Sequence, residues 1–193
     1  EDYQFDGDLF AQNLGFVAEH LRRHPGQPLF NYLLTIYGHT PHNIDSARRP
    51  PVVRIESGFR DEHLERVVNQ FYYRTEAIAH YVRRLIALDP DSLIVLVSDH
   101  VPPLQFGPNT YSALRYLDNR ERSQYYNRIA IVDGGKPVRP AAMHHYDLPD
   151  LVLDRLTGGT RCAAGGCDFL ASGAAPRADR LERYLVLMAH ASE

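Results

Sequence analysis

Ser92-Leu93-Ile94-Val95-Leu96-Val97-Ser98-Asp99-His100 is an apolar, β-branched run that stops abruptly at a carboxylate and an imidazole, with Val101-Pro102-Pro103 behind it. A continuous apolar run of this length fits a strand covered on both faces, as parallel strands are. Open α/β sheets bind their ligands in the crevice beyond the carboxyl ends of such strands, which is where Asp99 and His100 would lie. A carboxylate oxygen beside a neutral imidazole suits zinc, manganese and related divalent ions. Two ligands do not complete a site of four or more, so others have to come from elsewhere.

A second stretch repeats the pattern. Pro28 to Tyr37 (PLFNYLLTIY) reads as a mostly apolar and aromatic strand, and it runs out into Gly38-His39-Thr40-Pro41-His42. Between the two runs, Leu64, Val67, Val68, Phe71, Ile78, Val82, Leu85 and Ile86 mark one stripe of a long helix from about Arg60 to Leu88, which Asp89-Pro90-Asp91 ends. Strand, helix, strand implies a right-handed parallel crossover, and the loops carrying His39 and His100 should then open on the same rim of the sheet. The fold expected is α/β: a three-layer αβα arrangement around a mainly parallel central sheet.

The rest of the chain fits one domain. Its 193 residues are enough for one buried core, and 44% hydrophobic with 23% charged residues are ordinary globular values. Leu9, Phe10, Leu14, Phe16, Val17 and Leu21 mark an amphipathic helix from Asp6 to His24, stopped by Pro25-Gly26. Asn43 to Phe59 reads as a loop, Pro102 to Asn109 as another, and Tyr111 to Tyr116 as a short helix. Asn127 to Asp133 is a candidate strand turned by Gly134-Gly135, and Tyr146 to Leu156 is a helix with Pro149 in its first turn. Cys162 to Pro176 reads as a small, Gly/Ala-rich mobile loop and Asp179 to Ala191 as a terminal helix.

Several function classes are disfavoured. Net charge is −3, and twenty arginines against the single Lys136 are scattered, so nothing marks a nucleic-acid stripe. No Walker loop, dinucleotide fingerprint or Cys-x-x-Cys pair is present. No apolar stretch approaches the roughly 20 residues that cross a bilayer. The start, Glu1-Asp2-Tyr3-Gln4, has neither an initiator methionine nor the basic start and apolar core of a signal peptide, so the chain is expected to be either a processed protein or a piece of a larger one. Cys162 and Cys167 could close a small disulfide loop, which favours an oxidising compartment, or remain two free thiols.

Each candidate has a plainer alternative. Asp99 could cap a turn with His100 merely exposed; its place at a strand end, 60 residues after a second strand-end histidine, favours function. His39 could simply order its turn, and His42 has a weaker claim. His144-His145 precedes an ordinary helix and reads as structural, while His63 and His80 lie on the long helix among polar neighbours. His20, His24 and His190 sit near helix ends, where the dipole favours them. Ser57, in Ile55-Glu56-Ser57-Gly58, lacks the strand-turn-helix context of a nucleophile elbow.

Taken together, Leu33-Leu34-Thr35-Ile36-Tyr37-Gly38-His39-Thr40-Pro41, the helix with Tyr72-Tyr73-Arg74-Thr75, the Leu93-to-His100 run and His145-Tyr146-Asp147-Leu148-Pro149 resemble the sulfatase-like branch of the alkaline phosphatase superfamily. Within it, the lipoteichoic acid synthase and phosphoglycerol or phosphoethanolamine transferase group is the most similar. The resemblance spans roughly Asp6 to Gly158. It implies that Asp99 and His100 are metal ligands and that His39 contacts the phosphoryl or sulfuryl group, as charge stabiliser or proton donor. It also implies that the acidic ligand and the nucleophile come from an N-terminal half of the domain that is not in this chain.

The activity implied by the resemblance is a metal-dependent transfer of a phospho-headgroup from a phospholipid to a glycan acceptor. The cofactor implied is one divalent metal ion (Mn, Zn, Mg or Ca), since Val101 to Asn127 holds no further histidine. The implied partners are the missing N-terminal half, the phospholipid headgroup, the glycan acceptor and a membrane reached through an upstream segment. The implied location is extracytoplasmic, periplasmic or at the outer face of the cytoplasmic membrane. Two alternatives stand beside this: a sulfatase or phosphodiesterase that transfers to water, and a catalytically silent binding module.

Overall fold

The computed structural model describes residues 5–56, 58, 61–119, 123–140 and 142–167, with 181, 182, 184–186 and 189. Two helices build the first part. α1 (Asp6–Arg23) begins with Asp6 and Asp8 and ends with His20, Arg22 and Arg23, so both ends carry the charge that complements the helix dipole. α2 (Glu62–Leu88) is capped by Asp61, whose carboxylate accepts from the amides of His63 (2.9 Å) and Leu64 (3.2 Å). The helices meet where Phe10 stacks on Tyr81, with ring centroids 4.6 Å apart.

The stripe expected on α2 is only partly buried. Leu64 and Val67 pack with Leu104, supported by Ile55, Val68 and Tyr111, in one small core. Phe71 is exposed, whereas Asn69 and Gln70 are fully buried. The reason lies in the chain that precedes α2. Segment 43–53 needs backbone partners, and the Asn69 amide supplies them by accepting from Val52 and Val53 and donating to the Val53 carbonyl. Buried amides are tolerated because their hydrogen bonds are made.

The chain is mixed helix and sheet, and its sheet is small. β1 (Leu93–Val97) pairs antiparallel with β2 (Ile129–Asp133), and β2 pairs antiparallel with β3 (Lys136–Val138). Gly134 (φ 54°) and Gly135 (φ 70°) form the two-residue turn between β2 and β3, in the left-handed conformation that such hairpins require. Pro137 sits on the edge strand, where its missing N–H costs least. α4 (Leu148–Leu156) lays Leu151 on Ile131, forming a second core with Leu93, Val95, Ile129, Val138 and Met143.

The expected parallel crossover is not formed among the described residues. Residues 28–36 form no helix and join no ladder among the described residues. Leu29, Leu33 and Thr35 are half-buried and Tyr37 fully so, while Phe30, Tyr32, Leu34 and Ile36 stand out at 86, 74, 68 and 47% exposure. This is the period-two alternation of a strand without a strand's partner. Segment 28–37 is instead pinned at its end by the side chains of Asp6 and Arg74.

Other expectations moved by a few residues. The short helix expected over 111–116 is α3 (Pro108–Ala113), started by Pro108. Cys162 and Cys167 form a disulfide around a single turn, Cys162–Gly166, so no free thiol remains among the described residues. Both sulfurs' residues pack on the second core. The remainder of the expected mobile loop, 168–176, lies outside the described residues, as does Ser57. Of the expected terminal helix, 179–191, only 181, 182, 184–186 and 189 are described, each helical.

Candidate functional site

β1 delivers its last residues into solvent. Ser98 continues the ladder for one step by donating its amide to the Arg128 carbonyl (3.2 Å), and its own carbonyl lies 3.0 Å from the His145 Nε2. The Asn127 side chain then donates to the Asp99 carbonyl (2.6 Å). These contacts hold the backbone while leaving both side chains open: that of Asp99 is 81% exposed and that of His100 is 60% exposed. The His145 ring, expected to be structural, contacts the backbone at the end of β1.

The His100 ring is oriented by its own backbone. Nδ1 lies 2.9 Å from the Val101 carbonyl, which can only accept, so Nδ1 carries the proton and Nε2 carries the lone pair when the ring is neutral. Nε2 is 3.4 Å from Asp99 Oδ2. Two lone-pair atoms facing one another at this distance are satisfied by a proton on Nε2 or by a cation between them. Nδ1–H held by a carbonyl is also how metal-ligating histidines are commonly set.

Asp99 is tuned toward the ionised form. Partial burial raises its carboxyl, but the His100 amide, its own amide, the His100 ring and the Arg74 guanidinium outweigh that and hold it below the ordinary carboxylate value. The His100 amide donates to Oδ1 at 2.9 Å. The donor chemistry therefore fits part of a divalent-cation site, one carboxylate oxygen and one imidazole nitrogen. Among the described residues no group of three or more potential ligands comes together, so the pair is at most half of such a site.

His39 has the same local device. Its Nδ1 lies 2.9 Å from the Thr40 carbonyl, leaving Nε2 directed outward from an exposed turn. The turn is built by tight contacts: His39 N–H to Ile36 C=O, His42 N–H to His39 C=O, and a cis Thr40–Pro41 peptide. Its approach is fixed by Arg74 of α2. Arg74 Nη2 donates to the Thr35 hydroxyl (2.6 Å), and Nε lies 2.9 Å from Oδ2 of the buried Asp6 in an ionic contact without hydrogen-bond geometry. Asp6 Oδ1 accepts from the Tyr37 amide (3.3 Å). A side chain at Gly38 would meet Arg74 Nη1 at 2.8 Å, so glycine makes the room for this guanidinium.

The two loops meet. His42, fully buried, places Nε2 3.0 Å from the Pro103 carbonyl and Nδ1 3.2 Å from the Gln70 amide oxygen. The loop that follows His39 is thereby joined to the loop that follows His100, across 61 residues of sequence. His42, ranked lowest among the strand-end residues by its sequence context, is the one that makes this connection. Arg74 and Asp6 had no local signal at all, because an arginine on a helix and an aspartate in a first turn are ordinary surface residues until the tertiary contact is known. The chain matches no family model, no curated protein and no solved structure.

Proposed function

We propose that the chain supplies part of the active site of a divalent-metal-dependent enzyme that transfers a phospho-headgroup, phosphoglycerol or phosphoethanolamine, from a phospholipid to a glycan acceptor outside the cytoplasm. The observation that carries it is the open pair of Asp99 Oδ2 and His100 Nε2, 3.4 Å apart at the end of β1. Asp99 and His100 hold the ion in this reading. When bound, the ion polarises a phosphoryl or sulfuryl oxygen. His39, with Nδ1 held by Thr40 and Nε2 outward, donates a proton or stabilises charge on the transferred group.

The same proposal includes the finer architecture. Residues 28–37 become a further strand of a parallel central sheet, in a three-layer αβα domain of the sulfatase-like kind, when the polypeptide carrying the acidic ligand and nucleophile is joined to them. Their alternating exposed side chains support this. So does their lack of ladder partners, since unpaired strand edges are templates for pairing. The proposal places membrane attachment in that other polypeptide; no described helix is long and apolar enough to cross a membrane.

Manganese titration followed by NMR tests the first step and detects weak binding by a half-site. The expected result is paramagnetic broadening centred on the His100 ring, lost in Asp99→Asn and in His100→Gln. Absence of any site-selective broadening with manganese, and of any zinc-induced shift at these residues, overturns the reading. For the complete enzyme, release of diacylglycerol from phosphatidylglycerol supports headgroup transfer, and capture by water in place of a glycan marks a hydrolase.

A further inference from the structure

His42 combines three features that a turn residue does not need. It is fully buried, its backbone lies in the left-handed region at φ 56°, and both of its ring nitrogens face oxygen. The left-handed conformation is strained for a non-glycine residue, although histidine tolerates it better than most. Such outliers persist where the surroundings over-determine them. Here the surroundings are Gln70 of α2 and the carbonyl of Pro103.

The donor inventory decides the state of the ring. The Pro103 carbonyl can only accept. Gln70 donates its amide nitrogen to the Asn43 carbonyl at 2.7 Å, which turns its oxygen toward His42 Nδ1. Both contacts are therefore made at once only when both ring nitrogens carry protons; a neutral ring has to give one up. The titratable groups around the ring come from three sides. His63 of α2 stands edge-on at 5.7 Å between ring centroids, and His39 accepts the His42 amide proton on its carbonyl. Beyond the 101–104 loop, the Tyr111 hydroxyl donates to the Pro102 carbonyl, with Asp61 beside it.

We infer that His42 is a positioning residue, a proton-dependent joint that holds the His39 loop against the loop following Asp99 and His100. With both nitrogens protonated the two loops are locked in register. Loss of one proton releases either Pro103 or Gln70 and lets His39 move relative to the Asp99–His100 pair. A neutral ring keeps only one of the two contacts, so the joint is tight in the doubly protonated form and loose in the neutral one. The functional consequence rests on the proposed metal site; the joint itself does not.

Two measurements separate the joint from the metal site. Ring nitrogen NMR on the unmodified protein is expected to show both His42 nitrogens protonated at the acid end of its folded range, and loss of either proton to be accompanied by amide shift changes in both 38–43 and 101–104. A ring with a single protonated nitrogen across the whole range overturns the joint, whatever the metal does. The second measurement is His42→Asn, which tolerates the backbone conformation and keeps a donor toward Gln70 but cannot reach Pro103. It is expected to weaken manganese binding by roughly tenfold, as loss of an outer support does, and to abolish the shared pH dependence of the 38–43 and 101–104 amide shifts measured without metal. Unchanged affinity and an unchanged pH profile in a folded His42→Asn protein overturn the inference, while wild-type manganese binding keeps the metal site intact.

Discussion

Segments 28–37 and 93–97 are the two most β-like stretches of the chain, and they end alike, in loops that carry histidines. Among the described residues, one is in a ladder and the other is not. β1 has β2 beside it along its full length; α4 covers the face that carries Ile131, and Ile94 is buried on the opposite face. Segment 28–37 alternates as a strand should but shows Phe30, Tyr32, Leu34 and Ile36 to solvent. The difference teaches that apolar β-branched sequence sets extended conformation, whereas a strand also needs a neighbour to satisfy its backbone.

The largest expected effect tests that contrast directly. Ile131→Ala removes a side chain only 2% exposed from the centre of the second core and should cost about 3 kcal/mol, within the range for buried large-to-small changes. Leu34→Ala removes a side chain of similar size from a bare segment and should change stability by less than about 0.5 kcal/mol. Urea denaturation of both variants measures the gap. Comparable costs would mean that 28–37 has a partner in solution and that the contrast between the two segments is mistaken.

The next effect concerns how the bare segment is anchored. Arg74→Ala leaves buried Asp6 without its counter-charge and frees Thr35, and it should cost about 2 to 3 kcal/mol near neutrality. The pH dependence has a definite sign. Burial, only partly opposed by Arg74, the Tyr37 amide and Thr35, raises the Asp6 carboxyl above its ordinary value. Its contribution to folding is therefore fully present below the unfolded value near 3.8 and is lost as pH rises through the folded value. Without Arg74 that folded value rises further, so Arg74→Ala should be less damaging at about pH 3.5 than at pH 7. Equal losses at the two pH values would assign the arginine a packing role only.

Much of the fold was legible in the residues, and the part that was not has a common cause. The periods of α1 and α2, the β1 run and the Gly134-Gly135 turn are local, and each was readable where it stands. The direction of the β1 pairing was not, because a continuous apolar run suits a covered strand of either sense. Lys136-Pro137-Val138 is too short and polar to announce itself as β3. At the site, His39, Asp99 and His100 were visible as polar residues that end apolar runs. His42, Arg74 and Asn127 became meaningful only through contacts with residues 61, 39 and 28 positions away. Periodicity carries no information about such pairs.

The smallest effect lies in the loop after β1, which is held differently from the loop after segment 28–37. His39's loop is fixed through Arg74 and His42, two cationic side-chain types, whereas Pro102 is held by the neutral hydroxyl of Tyr111. Burial, with smaller contributions from Tyr116 and Asp61, pushes that phenol up to about 12. Its folded value thus exceeds the unfolded value of about 10, so its stabilisation is fully present below pH 10 and is lost as pH rises through about 12. Tyr111→Phe should cost about 1 kcal/mol at neutral pH, and the gap from wild type should close between roughly pH 10 and 12. Phenolate absorbance should show one tyrosine ionising at about pH 12 that is absent in Tyr111→Phe. A gap that stays constant through that range would show that the hydroxyl does not hold the loop, leaving His42 as its principal tie.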